Sequence, residues 1–168
     1  EMGSTAKMRV LVDYLQLVEH LYRNRGEIKK GKAHIAALYS EREKYANPNI
    51  KTEQELQRSL LWWLDGYLER NKNASLYQVL RASMEREYST APTVFYTGGG
   101  EYRPGNIETP YELPGRMTVR EAMVKSVNLV FVRVLEDIRD AEIGRLEAWQ
   151  DLEKEKSGKP GFFYSLEE

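Results

Sequence analysis

Ser4 and Lys7 are three residues apart, a spacing that stacks them on one face of a helix and lets the amine reach the hydroxyl. A serine near its free pKa is a poor nucleophile and needs such a neighbouring base to attack a carbonyl. The pair therefore points to acyl transfer through a serine ester. The competing structural reading makes Ser4 a helix cap and Lys7 a solvated charge. Gly3, just before Ser4, allows a tight turn that would expose the hydroxyl at the helix tip. Ser126-Val127-Asn128 adds a second hydroxyl and an amide that can both donate and accept, although Ser126 could also merely cap the last helix. Lys156-Ser157-Gly158 offers another lysine and serine. Those residues follow a charged helical run and precede Lys159-Pro160, so Gly158 reads better as a helix stop.

The elements that must position these groups are mostly helical. Met8, Leu11, Val12, Leu15, Val18 and Tyr22 recur at three- and four-residue steps, a core-facing stripe on a helix from Ser4 to about Arg23. A second helix is expected over Glu27 to Tyr45, and a third opens at Thr52 with a capping-box pattern and runs toward Asn71. Ser75 is expected to cap a fourth that reaches Tyr88. Residues 89–114 hold most of the prolines and the run Gly98-Gly99-Gly100, with short strand character around Thr93 to Tyr96. Long irregular stretches of this kind are often functional, and Gly99 is a candidate for backbone close to a substrate at the rim of a site. Thr118 caps a short helix to Lys125. A last helix follows Ser126, with Val127, Val130, Phe131 and Val134, then Ile138, Ile143, Leu146 and Trp149, forming its stripe.

Composition narrows the function classes. Lys+Arg 25 against Asp+Glu 26 in 168 residues leaves a net charge of -1, with no electrostatic reason to invoke nucleic acid. The absence of cysteine excludes disulfides, thiolate chemistry and Cys-ligated zinc. His20 and His34 are isolated, without partner spacing for a metal site, and read as surface or interface residues. Trp62, Trp63 and Trp149 read as core fillers. The glycine run lacks the strand–loop–helix setting of a phosphate loop. Leu60-Leu61-Trp62-Trp63-Leu64, the densest apolar stretch, is too short to span a bilayer.

Tyr102-Arg103-Pro104-Gly105-Asn106, Gly115-Arg116-Met117-Thr118-Val119-Arg120-Glu121-Ala122-Met123 and Lys125-Ser126-Val127-Asn128-Leu129 follow one another in a continuous pattern. It resembles the stretch of bifunctional, class A penicillin-binding proteins that reads P-x-N, G-x-[VI]-T-[VL]-R-E-A-[LM], S-x-N. Gly3-Ser4-Thr5-Ala6-Lys7 is also similar to the family's opening motif, and the two occur in the family's order.

The resemblance implies a mainly α fragment of the α+β penicillin-binding/β-lactamase-like transpeptidase fold, with the central sheet largely absent. It divides the chain into a nucleophile helix (1–26), a helical insertion or lid (27–88), a Gly/Pro-rich loop region (89–117) and the Ser-x-Asn loop with C-terminal helices (118–168). It implies peptidoglycan D,D-transpeptidation. Ser4 would be the acyl-accepting nucleophile and Lys7 its proton partner, while Ser126 relays a proton to the leaving amine. Asn128 would bond the substrate's peptide carbonyl and help hold Lys7, with Gly3 and Gly99 as further substrate-contact candidates. Lys156, Ser157 and Gly158 match the family's third motif in letters and order only, because that motif belongs on a strand.

Stem peptides would be the substrates and β-lactams the inhibitors, with no cofactor and no metal. A fused glycosyltransferase domain and a membrane anchor would lie elsewhere in a parent chain on the extracytoplasmic face of a bacterial inner membrane. The chain opens with Glu1, almost at the Ser4 motif, and reads as an internal fragment, nearly inert alone because the oxyanion-hole strand is missing. Two alternatives stand beside this: a D,D-carboxypeptidase or β-lactamase that sends water to the same acyl-enzyme, and a non-catalytic helical interaction module in which Ser4 only caps a helix.

Overall fold

The computed structural model describes residues 3–43, 53–92, 95–97, 99–102 and 113–158. It is mainly helical. In chain order the elements are α1 (Ser4–Arg23), α2 (Gly26–Glu43), α3 (Glu53–Arg58), α4 (Leu60–Arg70), α5 (Leu76–Met84), β1 (Glu87–Ser89), β2 (Phe95–Thr97), β3 (Gly100–Tyr102), β4 (Arg116–Thr118), α6 (Val119–Lys125) and α7 (Asn128–Ser157). They form two compact units, residues 1–19 with 74–138 and residues 20–73 with 139–168, and α1 and α7 each contribute to both. The expected insertion (27–88) therefore divides: α2, α3 and α4 lie in the second unit, whereas α5 and β1 lie in the first.

The first unit is built around Val10, Tyr14, Leu17, Val18, Val79, Met117, Val119, Val130, Phe131 and Val134, all buried. Its helix starts are marked locally. Ser75 and Gln78 cap α5 reciprocally, Ser75 Oγ accepting from the Gln78 N–H at 3.2 Å and Gln78 Oε1 accepting from the Ser75 N–H at 2.9 Å. Thr118 Oγ1 accepts from the Glu121 N–H at 3.0 Å and starts α6. Helix α5 stops at Met84 rather than reaching Tyr88, because Glu87–Ser89 pairs antiparallel with Arg116–Thr118, Tyr88 facing Met117. The β2–β3 hairpin sets Thr97 opposite Gly100, whose φ of 113° suits glycine. Thr93 and Val94, part of the expected strand, lie outside the described residues.

The second unit packs α2 and α4 with the C-terminal part of α7, burying Ile28, Ile35, Tyr39, Leu60, Leu61, Leu64, Ala141 and Ala148. Gly31 and Gly144 let α2 and α7 approach closely: a Cβ on Gly144 would stand 2.9 Å from the Gly31 carbonyl oxygen. Tyr39 Oη donates to Asp140 Oδ2 at 2.7 Å. The expected single helix from Thr52 to Asn71 is broken at Ser59, whose extended backbone caps α4 and whose hydroxyl bonds back to the Leu56 carbonyl. Thr52 itself lies outside the described residues. Both histidines sit against carboxylates, His20 on Glu27 at 2.6 Å and His34 between Glu147 (3.1 Å) and Asp151 (2.7 Å).

Two expected stripes are corrected. On α1 the buried line runs through Lys7, Val10, Tyr14, Leu17, Val18 and Leu21, while Met8 (49% exposed) and Val12 (44%) face outward. On α7 the first four expected positions are buried, but the line then continues through Asp137, Ala141, Gly144 and Ala148. Leu146 and Trp149 (51% exposed) lie on the other side, so Trp149 is not a core filler. Small residues and paired acids occupy the face where large apolar ones were expected. Among the described residues no helix is long and apolar enough to cross a membrane.

Candidate functional site

Ser4 is the first residue of α1 and is exposed; among the described residues its hydroxyl has no hydrogen-bond partner. A Cβ on Gly3 would meet nothing within 4 Å, so no close backbone approach requires the glycine there. One turn on, Lys7 is buried, with its backbone N–H donating to the Gly3 carbonyl at 3.1 Å. Its side chain crosses to the other motif: Lys7 Nζ donates to the Ser126 carbonyl oxygen at 3.0 Å.

Ser126 earns its geometry from the joint between two helices. It terminates α6 in the left-handed conformation, φ 55° and ψ 45°, and its N–H bonds the Ala122 carbonyl. Val127 N–H bonds the same oxygen at 3.0 Å. Among the described residues Ser126 is the one non-glycine residue with positive φ. Such a conformation favours glycine or asparagine, and a serine held there is a local strain of the kind that collects at functional sites. The turn leaves the hydroxyl exposed and aims the carbonyl at Lys7. Asn128 follows as the first residue of α7, with its side chain buried.

Ser4, Lys7, Ser126 and Asn128 thus belong to one compact unit, with Lys7 bridging the motifs. Lys7 lies one helical turn from Ser4, the potential nucleophile, but its side chain turns to the Ser126 carbonyl, and among the described residues no hydrogen bond joins it to the Ser4 hydroxyl. Ser4 shares the exposed face of α1 with Met8, Val12 and the polar Thr5, Arg9, Asp13 and Gln16.

The remaining candidates belong to other elements. Gly99 sits exposed in the turn between β2 and β3. Lys156 and Ser157 are the last residues of α7, in the second unit, with Lys156 pairing to Glu153 and Ser157 Oγ bonding the Lys154 carbonyl. Gly158 follows at φ 63° as the helix stop. The letters of the third motif are here a helix terminus rather than a strand, which removes them from the candidate site.

A buried polar cluster escaped the sequence reading. Arg86 Nη2 donates to Asp137 Oδ2 at 3.0 Å, and Arg86 Nη1 donates to Tyr88 Oη (2.8 Å) and Tyr14 Oη (3.1 Å). Tyr88 Oη donates to Asp137 Oδ2 at 2.5 Å, and Tyr14 Oη donates to the Ser83 carbonyl at 2.8 Å. Burial pushes both tyrosines above their ordinary range, against the lowering effect of Arg86, and Tyr88 is raised well above it. Burial opposes the Arg86 charge, but Tyr88, Tyr14 and Asp137 more than offset it, and the guanidinium stays protonated. One signal was available: Asp137 falls on the buried line of α7 after Val127, Val130 and Val134, where an acid requires a buried partner.

In comparisons with protein-family models, curated proteins and solved structures, nothing matches the chain.

Proposed function

We propose that this chain carries the nucleophile and Ser-x-Asn portions of a penicillin-binding peptidoglycan D,D-transpeptidase. The observation that supports the reading best is the bond from Lys7 Nζ to the Ser126 carbonyl, which joins two motifs 119 residues apart in one unit. In this reading Ser4 Oγ attacks the carbonyl carbon between the two terminal D-alanines of a stem peptide, and its proton passes to Lys7 as the neutral amine. The amide C–N bond breaks, and the departing D-alanine takes a proton relayed from Lys7 through the Ser126 hydroxyl. An amine on a neighbouring strand then attacks the Ser4 ester, the C–Oγ bond breaks as the new amide forms, and the proton the amine loses returns through Lys7 to Ser4 Oγ. Asn128 holds the substrate's peptide carbonyl.

β-Lactams acylate the same serine, because their strained amide imitates the D-Ala-D-Ala bond. The oxyanion-hole strand belongs to a parent chain, together with a glycosyltransferase domain and a membrane anchor, at the extracytoplasmic face of a bacterial inner membrane.

Release of D-alanine from a stem-peptide substrate, measured with and without an acceptor amine in the parent protein, tests the reading. Cross-linked product that depends on the amine is expected. Hydrolysis alone would make the protein a carboxypeptidase or β-lactamase. Unchanged activity in Ser4→Ala would leave only a helical interaction module.

A further inference from the structure

We propose that Arg86 and Asp137 are positioning residues that hold the Ser4–Lys7 helix in register with the Ser126–Asn128 joint, an inference that rests on the transpeptidase reading. Lys7 and Tyr14 lie two turns apart on the buried face of α1, roughly 10 Å along its axis. Asn128 and Asp137 lie on the buried side of α7. Between Tyr14 and Asp137 stands the Arg86 guanidinium, bonded to both and to Tyr88 on β1. Tyr14 also ties α1 to α5 through the Ser83 carbonyl.

The apolar contacts of Val10, Leu17 and Val18 hold α1 in the core but tolerate sliding and rotation, because dispersion and burial are not directional. The guanidinium bonds are directional. Each hydroxyl in the cluster both donates and accepts, Arg86 donates to Tyr14, Tyr88 and Asp137, and Asp137 Oδ2 receives both Arg86 and Tyr88. A satisfied buried network of this kind favours one arrangement over its neighbours. The bond from Lys7 Nζ to the Ser126 carbonyl needs such an arrangement, since a shift of about 1 Å at a reacting group can cost on the order of 10²-fold in rate.

The test uses the parent protein and three variants, Asp137→Asn, the charge-free pair Arg86→Met/Asp137→Leu, and Ser4→Ala. Benzylpenicillin is the probe, and the acylation rate constant is separated from the initial binding constant in each case. Asp137→Asn strands a buried cation and will lower the melting temperature; the apolar pair removes both charges but takes Arg86 and Asp137 from the Tyr88 hydroxyl, so it restores part of that stability. Positioning predicts that the acylation rate constant falls roughly 10- to 100-fold in the folded apolar pair while initial binding changes little. A merely structural cluster would let that variant, once stable, acylate within about twofold of the parent, and this result overturns the proposal. Failure of the unaltered parent to acylate at Ser4, with Ser4→Ala as the reference, instead overturns the transpeptidase reading and this proposal with it.

Discussion

Lys7 Nζ lies 3.0 Å from the carbonyl oxygen of Ser126. The acceptor is backbone, so the contact depends on the left-handed turn at Ser126 and not on its side chain. Geometry and chemistry at this residue can therefore be separated by substitution.

Ser126→Gly relieves the positive φ, whereas Ser126→Ala keeps the strain, and glycine should be the more stable of the two by about 1 kcal/mol in urea unfolding. Both lack the hydroxyl. If Ser126 relays the proton, D-alanine release falls to a similar extent in both, independent of stability. Full release by Ser126→Gly would remove Ser126 from the relay.

Gly144→Ala places a methyl 2.9 Å from the Gly31 carbonyl oxygen and 3.0 Å from Ile35 and Leu61 side-chain carbons. Backbone cannot yield as a side chain does, so a loss of about 1–3 kcal/mol is expected in denaturant unfolding. Gly66→Ala is the contrasting control, because its Cβ meets only the end of the Arg70 side chain at 3.1 Å. In mid-helix that change should be neutral or stabilising by up to about 1 kcal/mol. A destabilised Gly66→Ala beside an unaffected Gly144→Ala would contradict the α2–α7 packing.

These positions also mark what the residues disclosed and what they withheld. Val127, Val130, Phe131 and Val134 were legible as a buried stripe because all are apolar. The continuation through Asp137, Ala141, Gly144 and Ala148 was not, since close helix approach selects small residues and the acid is paired by Arg86 from elsewhere in the chain. Met8 and Val12 misled the reading of α1 because two apolar residues at helical spacing stand on its otherwise polar, exposed face. Strands β1 and β4 are three residues each and exist through pairing with one another, which no local window reveals. In the candidate site the residue types and order were legible, but a lysine bound to a backbone carbonyl leaves no letter in the sequence.

Tyr14 and Tyr88 give a pH signature. Burial raises both above the ordinary tyrosine value of 10.0, so the folded state holds their protons more tightly than the unfolded chain does. Their contribution to stability is fully present below about pH 10 and is lost as pH rises toward the folded-state values. Absorbance titration at the phenolate band should leave these two of the 11 tyrosines untitrated until the chain unfolds in alkali. Tyr88→Phe should remove part of that late step. Smooth titration of every tyrosine near pH 10 with the fold intact would contradict the buried cluster.

Ser4 as the nucleophile is tested most directly by intact-mass analysis and peptide mapping of the parent protein after exposure to benzylpenicillin. One penicilloyl group on the peptide that contains Ser4, absent in Ser4→Ala, is the expected result. No adduct, or an adduct on another residue that persists in Ser4→Ala, would contradict it.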